Sequence, residues 1–272
     1  MSTSRARLID AHRVVIKVGT TTITYDNGRM HLTNLDRLCR AISDLRNQGR
    51  EVILVSSGAI AMGMGKLRLS RKPASVRDKQ AIAAVGQCEL MNIYSKLFGE
   101  YGYVTAQILL TRDDIEDELT RKNAINTFEA LMEKEVIPIV NENDSVSTHE
   151  ILHNGTFGDN DSLSAIVADL IGADLLILLS DIDGLYDCDP RKEEKACLVP
   201  YVEEVTDDIS RMAGGTSSAR GTGGMATKIE AARIATRAGI DMVIANGASA
   251  DVIGRVVAGA EVGTMFAAQQ RS

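Results

Sequence analysis

The sequence predicts an α/β fold in which a doubly wound, mainly parallel sheet is sandwiched by helices. Short apolar runs rich in β-branched residues recur along the chain: RVVIKV, EVILVS, YVTAQILL, VIPIVN, LLILLS and DMVIAN. Several are apolar almost throughout, which is typical of strands buried on both faces of a parallel sheet. Helical patterns lie between them, and this alternation indicates the doubly wound class.

Four segments have the spacing and end signals of helices. The first, LTNLDRLCRAISDLRNQG, is predicted to begin at a Thr/Asn cap and to end at Gly49. SVRDKQAIAAVGQCELMNIYSKLFGEYG is a long helix candidate, and NDSLSAIVADLIGA and GMATKIEAARIATRAGI follow the same plan. The stretch Cys188–Gly224 is polar and mixed and gives the weakest signal. No repeat or low-complexity linker divides the chain, so we predict one domain over residues 1–272.

Composition argues against several classes of function. The 272 residues have a net charge of -7, whereas a nucleic-acid-binding protein needs a basic surface. The N-terminus MSTSRARLIDAH lacks an apolar signal segment, and no apolar run is long enough to cross a membrane, so we expect a cytoplasmic protein. The four cysteines form no C-x-x-C pair, so we expect reduced, buried thiols at Cys39, Cys88, Cys188 and Cys197.

The candidate site residues follow the predicted strands, because open α/β sheets bind ligands beyond the carboxyl ends of their strands. Lys17 lies inside the first apolar run, where a charge is costly unless it faces a cleft or an anion. A lysine that snorkels from the sheet edge is the alternative. After the second strand, SSGAIAMG (Ser56–Gly63) places small residues at a strand-to-helix turn. Such a turn leaves N–H groups open to an anion, although tight packing at a helix start would select the same residues.

Two polar segments follow the fourth strand. NENDSVS (Asn141–Ser147) is too polar for a simple turn and fits a ligand with a charged amine. A solvated loop held by Asn and Asp side-chain turns is the alternative. GDNDSLSA (Gly158–Ala165) opens a helix, where capping accounts for one of its acidic or amide residues but not for all three, Asp159, Asn160 and Asp161.

The segment HEILH (His149–His153) matches the zinc-peptidase pattern H-E-x-x-H. That chemistry requires both histidines on one helix face. The segment lies between DSVST and the turn signal Asn154-Gly155, which leaves too little room for a stable helix. We therefore favour a β-hairpin or flap over a zinc site.

The glycine-rich segment RGTGGMATK (Arg220–Lys228) predicts a phosphate site at a helix N-terminus. It is not a P-loop, because no glycine directly precedes Lys228 and Ile229 stands where a Mg²⁺-binding hydroxyl would be. The segment also comes late in the chain, whereas a P-loop follows an early strand. A plain glycine linker is the alternative.

Eight segments together resemble the amino acid kinase family, and within it the enzymes that phosphorylate L-glutamate: KVGT, SSGAIAMG, AAVGQ, LLTRDD, NENDSV, GDNDSLSA, SDIDGLYDCDPR and GTGGMATK. The resemblance runs from about Val14 to Phe266. Many bacterial members of this group carry a C-terminal PUA domain, and we expect none here. The resemblance implies ATP-dependent phosphorylation of the γ-carboxylate of glutamate, the first step of proline synthesis. It further implies Mg²⁺, an oligomer and feedback inhibition by proline.

The resemblance also implies roles for individual residues. The N-terminal part would bind mainly substrate and the C-terminal part mainly nucleotide. Lys17, Asp161 and Lys228 would be catalytic, with Asp161 orienting the two lysines. Glutamate would be bound by Ser57, Gly58, Asp144 and Asn160. The nucleotide would be bound by Lys17, Ser180, Asp181, Thr222, Gly223, Gly224, Met225, Ala226, Thr227 and Lys228. No metal ligand is implied among the side chains, because Mg²⁺ is expected mainly on the ATP phosphates.

Three alternatives remain at this point. The first is a related kinase that acts on another carboxylate. The second is a zinc peptidase built on HEILH, and the third is a non-catalytic amino-acid sensor, since the same fold also serves regulation.

Overall fold

The computed structural model describes residues 5–25, 29–71, 73–146, 160–190, 192–193, 195–213, 224–248 and 251–269. The strands in these ranges are β1 (Arg13–Val18), β2 (Glu51–Ser56), β3 (Thr105–Leu110), β4 (Ile137–Glu142), β5 (Leu175–Ser180), β6 (Tyr201–Val202), β7 (Asp241–Asn246) and β8 (Thr264–Phe266). They form one eight-stranded sheet in the order β3-β4-β2-β1-β5-β7-β8-β6. Every neighbouring pair is parallel except β7 with β8.

The described helices connect these strands. They are α1 (Thr20–Ile23), α2 (Leu32–Asn47), α3 (Ala59–Lys66), α4 (Val76–Glu100), α5 (Arg112–Glu116), α6 (Glu118–Glu133), α7 (Asn160–Leu170), α8 (Asp207–Ala213), α9 (Met225–Arg237) and α10 (Asp251–Val257). A short 3₁₀ turn at Ala6–Leu8 precedes β1.

Helices cover both faces of the sheet. Alternate residues of a strand point to opposite faces, and β1 shows this directly. Val14 and Ile16 pack in a buried cluster with residues of α2, α4 and α10. Val15 packs in a second buried cluster, with residues of α6, α7 and α9. The predicted sandwich of helices around a mainly parallel sheet is therefore confirmed.

The strand order places β1 at the centre of the molecule. Strands β2, β4 and β3 extend from one side of β1, and β5, β7, β8 and β6 extend from the other. The chain thus reverses its direction of winding at β1, and such a switch point opens a crevice beyond the carboxyl ends of the strands. Lys17 is the fifth residue of β1 and lies next to that end.

The six predicted strands and four predicted helices are all present. The predicted bounds of β1, β2, β5 and β7 match the structure, whereas β3, β4 and the four helices have shifted ends. The predicted Thr/Asn cap of α2 is wrong, because the side chain of His31 accepts a hydrogen bond from the amide N–H of Asn34 and caps the helix. Helices α1, α5, α6, α8 and α10 and the short strands β6 and β8 were not predicted. Strands β6 and β8 are only two and three residues long, which is too short for an alternating pattern.

The expectation of buried thiols is correct only for Cys39. Cys88 and Cys197 are exposed and Cys188 is partly exposed, and all four are free. Cysteine spacing carries no information on exposure, which depends on where each helix or loop packs.

Candidate active site

A carboxylate bound by two lysines lies at the carboxyl end of the central strand. Lys17 Nζ is 2.5 Å from Asp161 Oδ1, and Lys228 Nζ is 2.8 Å from Asp161 Oδ2. All three side chains are buried, and Asp161 has no exposed surface. Because buried ions are costly unless paired, each member of this cluster depends on the others.

Three different elements supply these residues. Lys17 projects from β1 toward the face that α7 and α9 cover, the same face as Val15. Asp161 is the second residue of α7, and Lys228 lies in the first turn of α9. Thr227 Oγ1 also donates a hydrogen bond to Asp161 Oδ2, at 3.1 Å.

The electrostatics of the cluster keep Asp161 ionised. Burial alone would raise the pKa of its carboxyl, but the charges of Lys17 and Lys228 and their hydrogen bonds outweigh burial. The pKa of Asp161 is therefore well below its usual value. A carboxylate of this kind is a poor proton acceptor, so its part is to hold the two ammonium groups in place.

Two helix N-termini face this region without a side-chain cap. Gly58 caps α3 with φ 106°, a left-handed conformation that favours glycine, and no side chain bonds to the first turn. Gly224 caps α9 in an extended conformation, again without a side-chain hydrogen bond. The first backbone N–H groups of both helices and their positive dipoles are thus available to anions such as phosphate or carboxylate.

A chain of hydrogen-bonded side chains lies beside the lysine cluster. Asn160, which precedes Asp161, donates from Nδ2 to Ser57 Oγ at 2.8 Å and to Asn141 Oδ1 at 2.9 Å. Asn141 Nδ2 in turn donates to Gln87 Oε1 at 2.9 Å. This amide chain joins the ends of β2 and β4 to the start of α7 and to α4.

Two oxygen atoms at this site are buried without a hydrogen-bond donor in the described part of the chain. They are Asn160 Oδ1 and Asp144 Oδ1. Buried acceptors nearly always have a partner, so each of these oxygens is a candidate to accept a hydrogen bond from a ligand. An ammonium group carries three such donors and a charge that complements Asp144.

The structure brings together several of the residues predicted for the site. Lys17 and Lys228 each contact Asp161, and Asn160 contacts Ser57. Gly58 follows Ser57 at the start of α3. Ser180 ends β5, the neighbour of β1, and its hydroxyl donates to Asp181 Oδ1 at 3.2 Å.

The glycine-rich segment is described only from Gly224 onward, where Met225, Ala226 and Thr227 form the first turn of α9. Thr222 and Gly223 lie outside the described residues, as do Asp159 and the HEILH segment. No group of three metal-ligating His, Cys, Asp or Glu residues occurs within the described ranges. Over the same ranges, no helix is long and apolar enough to cross a membrane.

Sequence reasoning missed two members of the amide chain, Gln87 and Asn141. Asn141 lies in NENDSV, but only Asp144 was singled out there. Gln87 has a signal in the sequence, because it occupies a position of α4 that is otherwise apolar and buried, one turn before Leu90 and after Ala83.

The sequence profile of the Amino acid kinase family matches residues 12–246. The chain belongs to the amino acid kinase family. Among curated members of that family, glutamate 5-kinase of Clostridium perfringens (strain 13) is 55% identical, covering 98% of this chain and 99% of the relative. Glutamate 5-kinase of Listeria innocua is 49% identical, over 98% of this chain and 96% of the relative.

Solved structures of other kinases have the same fold. An isopentenyl phosphate kinase superposes with a TM-score of 0.65 at 17% identity, covering 94% of this chain and all of that one. Carbamate kinase from Giardia lamblia bound to AMP-PNP superposes with a TM-score of 0.65 at 16% identity, covering 96% of this chain and all of that one. At these identities the likeness concerns the fold alone.

Proposed function

We propose that this amino acid kinase transfers the γ-phosphoryl group of ATP to the γ-carboxylate of L-glutamate. The product is γ-glutamyl phosphate, a precursor in proline synthesis. The observation that carries the proposal is the buried Lys17–Asp161–Lys228 cluster at the carboxyl end of β1. The high identity to glutamate 5-kinases over nearly the whole chain supports glutamate as the acceptor.

The chemistry needs cations rather than a base. A glutamate carboxylate is already ionised at neutral pH, so it attacks without losing a proton. The obstacle is the approach of one anion to another. Lys17 and Lys228, held apart by the two oxygens of Asp161, offer charge to the transferring phosphoryl group on either side. Catalysis then rests on alignment and charge stabilisation, as in other phosphoryl transfers.

The substrates bind on the two sides of the central strand. Glutamate is held by Ser57, Gly58, Asp144 and Asn160, with its ammonium against the unpaired oxygens Asp144 Oδ1 and Asn160 Oδ1. ATP is held by the C-terminal half of a single domain. Its phosphates lie on the segment from Thr222 to Lys228, and Ser180 and Asp181 lie near the nucleotide.

Mg²⁺ is expected to accompany ATP, where it neutralises phosphate charge. Both oxygens of Asp161 are already engaged by lysines, so this donor set fits an ion carried by the phosphate oxygens rather than one ligated by Asp161. We further propose a cytoplasmic homo-oligomer that free proline inhibits, because proline shares the α-carboxylate and α-nitrogen of glutamate. Inhibition that stays constant as glutamate rises would show that proline binds elsewhere.

The direct test is ATP turnover with L-glutamate in the presence of hydroxylamine, which traps an acyl phosphate as the hydroxamate. We expect hydroxamate to form in proportion to ADP and to require glutamate. ADP formation without hydroxamate would refute carboxylate phosphorylation. Stoichiometric zinc bound by His149 and His153 would instead support the peptidase alternative, and binding of amino acids without turnover would support the sensor.

A second measurement separates glutamate from related carboxylate substrates. N-acetylglutamate replaces the ammonium with a bulkier neutral amide, which leaves the buried oxygen Asp144 Oδ1 without a charged partner. The penalty for an unpaired buried group is about 1–3 kcal/mol, and added bulk increases it. We expect kcat/KM to favour glutamate by about a hundredfold or more.

Asp144→Ala is expected to weaken glutamate binding and to narrow that ratio. Steady-state kinetics of the wild type and of Asp144→Ala with glutamate and with N-acetylglutamate measure both effects. Equal use of the two substrates by the wild type would assign the chain a different acceptor.

A further inference from the structure

Gln87 is a buried polar residue that the stability of the fold does not explain. It is 8% exposed and lies on the face of α4 that also buries Ala83 and Leu90. Its Oε1 accepts a hydrogen bond from Asn141, but its Nε2 has no partner in the described part of the chain. A buried amide with an unpaired donor destabilises a protein relative to an apolar residue of the same shape. Gln87 is therefore better accounted for by the site than by the core.

Main-chain groups fix which way the amides of this chain point. The backbone N–H of Glu142 donates to Asn141 Oδ1 at 2.9 Å, and a backbone N–H can only donate. The nitrogen of Asn141 must then face Gln87. At the other end, the carbonyl oxygen of Ser56, which can only accept, lies 3.4 Å from Asn160 Nδ2. The nitrogen of Asn160 thus faces the protein, and Asn160 Oδ1 remains for a ligand.

Close packing of α3 against α4 places Gln87 within reach of Asn141. A Cβ atom on Gly86 would overlap the carbonyl oxygen of Ala59, and one on Gly63 would overlap the carbonyl oxygen of Ile82. The two helix backbones therefore meet directly, one residue away from Gln87. Seven residues further along α4, the hydroxyl groups of Tyr94 and Ser56 are 2.8 Å apart.

We propose that Gln87 is a positioning residue for the amino-acid substrate. Gln87 accepts a hydrogen bond from Asn141 and fixes its amide, and Asn141 in turn accepts a hydrogen bond from Asn160. Asn160 is thereby oriented so that its Oδ1, with Asp144 Oδ1, receives the substrate ammonium. Without Gln87, the nitrogen of Asn141 is a buried donor with no acceptor, and its rotation to find one releases Asn160. The inference rests on the proposed function, because the ammonium belongs to glutamate.

The test compares Gln87→Met with the wild type, since Met keeps the length of the side chain and removes its polar atoms. We expect the KM for glutamate to rise about tenfold, as for the loss of one buried hydrogen bond. We expect kcat to change by less than about threefold and the KM for ATP to stay the same, because the lysine cluster is untouched.

Tyr94→Phe is the matched control. It removes another buried hydrogen bond between α4 and the end of β2, made by Ser56 Oγ, and leaves all side-chain atoms of the amide chain in place. It is expected to lower the melting temperature while leaving the KM for glutamate within about twofold of the wild type, as for a purely structural loss. If Tyr94→Phe raised the KM for glutamate as much as Gln87→Met does, the effect would come from a general loosening of α4, and the inference would be overturned.

A double-mutant cycle with Asn160→Ala decides whether Gln87 acts through Asn160. In the Asn160→Ala background, Gln87→Met is expected to raise the KM for glutamate by less than about twofold, because the group it positions is absent. A further tenfold rise would show an independent effect and would refute the inference. Gln87→Asn, whose shorter side chain does not reach Asn141, replaces Gln87→Met if the latter does not fold.

The same measurements separate the two proposals. A wild type that forms no hydroxamate from glutamate refutes the proposed function. If the wild type forms hydroxamate but both Gln87 variants have an unchanged KM for glutamate, only the role of Gln87 is refuted.

Discussion

Lys17 and Lys228 bind opposite oxygens of one carboxylate, so removal of either lysine leaves Asp161 paired with the other. Replacement of either lysine by alanine is expected to lower kcat by about 10²–10³-fold, because a positioned charge on the transferring group acts in the transition state. The fold should persist, since Asp161 retains one cation. Steady-state kinetics and a melting curve check both points.

Lys66→Ala is the control for this pair. Lys66 contacts Glu89 at 2.9 Å, but its side chain is 58% exposed. Surface ion pairs contribute little to stability, and we expect near-wild-type kcat and melting temperature. Near-normal turnover by Lys17→Ala or Lys228→Ala would remove that lysine from the catalytic assignment.

Asp161 gives a prediction for pH dependence. Its pKa in the folded state is below the ordinary value of 3.8, so the folded protein holds fewer protons than the unfolded chain. Its stabilising contribution is complete above the unfolded-state value and is lost as pH falls through the lower folded-state pKa. Asp161→Asn, which removes the negative charge that both buried lysines contact, is expected to lower the free energy of unfolding by about 3–5 kcal/mol.

The measurement is denaturant unfolding of wild type and Asp161→Asn at several pH values. The difference in free energy of unfolding should stay constant between about pH 5 and 7 and shrink below about pH 4. A difference that shrinks already near neutral pH would mean that Asp161 is not an anchored carboxylate. We also expect Asp161→Asn to lower kcat with little change in the KM for glutamate, because Asp161 orients the lysines and does not bind glutamate.

Helices α3 and α4 cross where both present glycine. Gly86→Ala places a methyl group against the backbone of α3, so the helices must separate. We expect the free energy of unfolding to fall by about 1–3 kcal/mol. The KM for glutamate should also rise, because α3 begins at Gly58 and α4 carries Gln87.

Gly99→Ala is the control, because it makes the same substitution in α4 at a position that does not contact α3. Nothing lies within 4 Å of a Cβ atom at Gly99. Alanine is the better helix former, by up to about 1 kcal/mol, so a small gain in stability is expected. Equal behaviour of the two variants in chemical denaturation would contradict the proposed role of the crossing.

Across the whole molecule, Arg5 ties the start of the chain to the far edge of the sheet. Its buried guanidinium donates to the carbonyl oxygens of Pro200, Ala260, Val262 and Gly263 at 2.7–3.1 Å. Arg5→Met is expected to lower the free energy of unfolding by about 2–4 kcal/mol, because hydrogen bonds from a charged donor are strong and the carbonyls remain buried.

The activity of folded Arg5→Met should equal that of the wild type, because strands β5 and β7 separate β8 and β6 from β1. Thermal unfolding and kcat per folded molecule check this. Arg211→Met is the control, since Arg211 and Asp208 form a pair in which both side chains are more than 70% exposed. A stability loss in the control as large as that of Arg5→Met would show that burial of the guanidinium is unimportant.

The sequence by itself determined the sheet class and the positions of the six main strands, because buried strands require uninterrupted apolar runs. It also marked Lys17, Asp161 and Lys228, since a charge in an apolar strand and a charge at a helix start are visible locally. Ser57 and Asn160 were found by the resemblance of their segments to a known family.

Only the tertiary structure decided which of these residues touch. Lys17 and Asp161 are far apart in the chain and meet at 2.5 Å because β1 and α7 pack on one face of the sheet. The same holds for Gln87 and Asn141, whose contact depends on two glycines at a helix crossing. Local patterns record periodicity and burial, whereas pairing across the core is set by packing between elements that no short stretch of sequence contains.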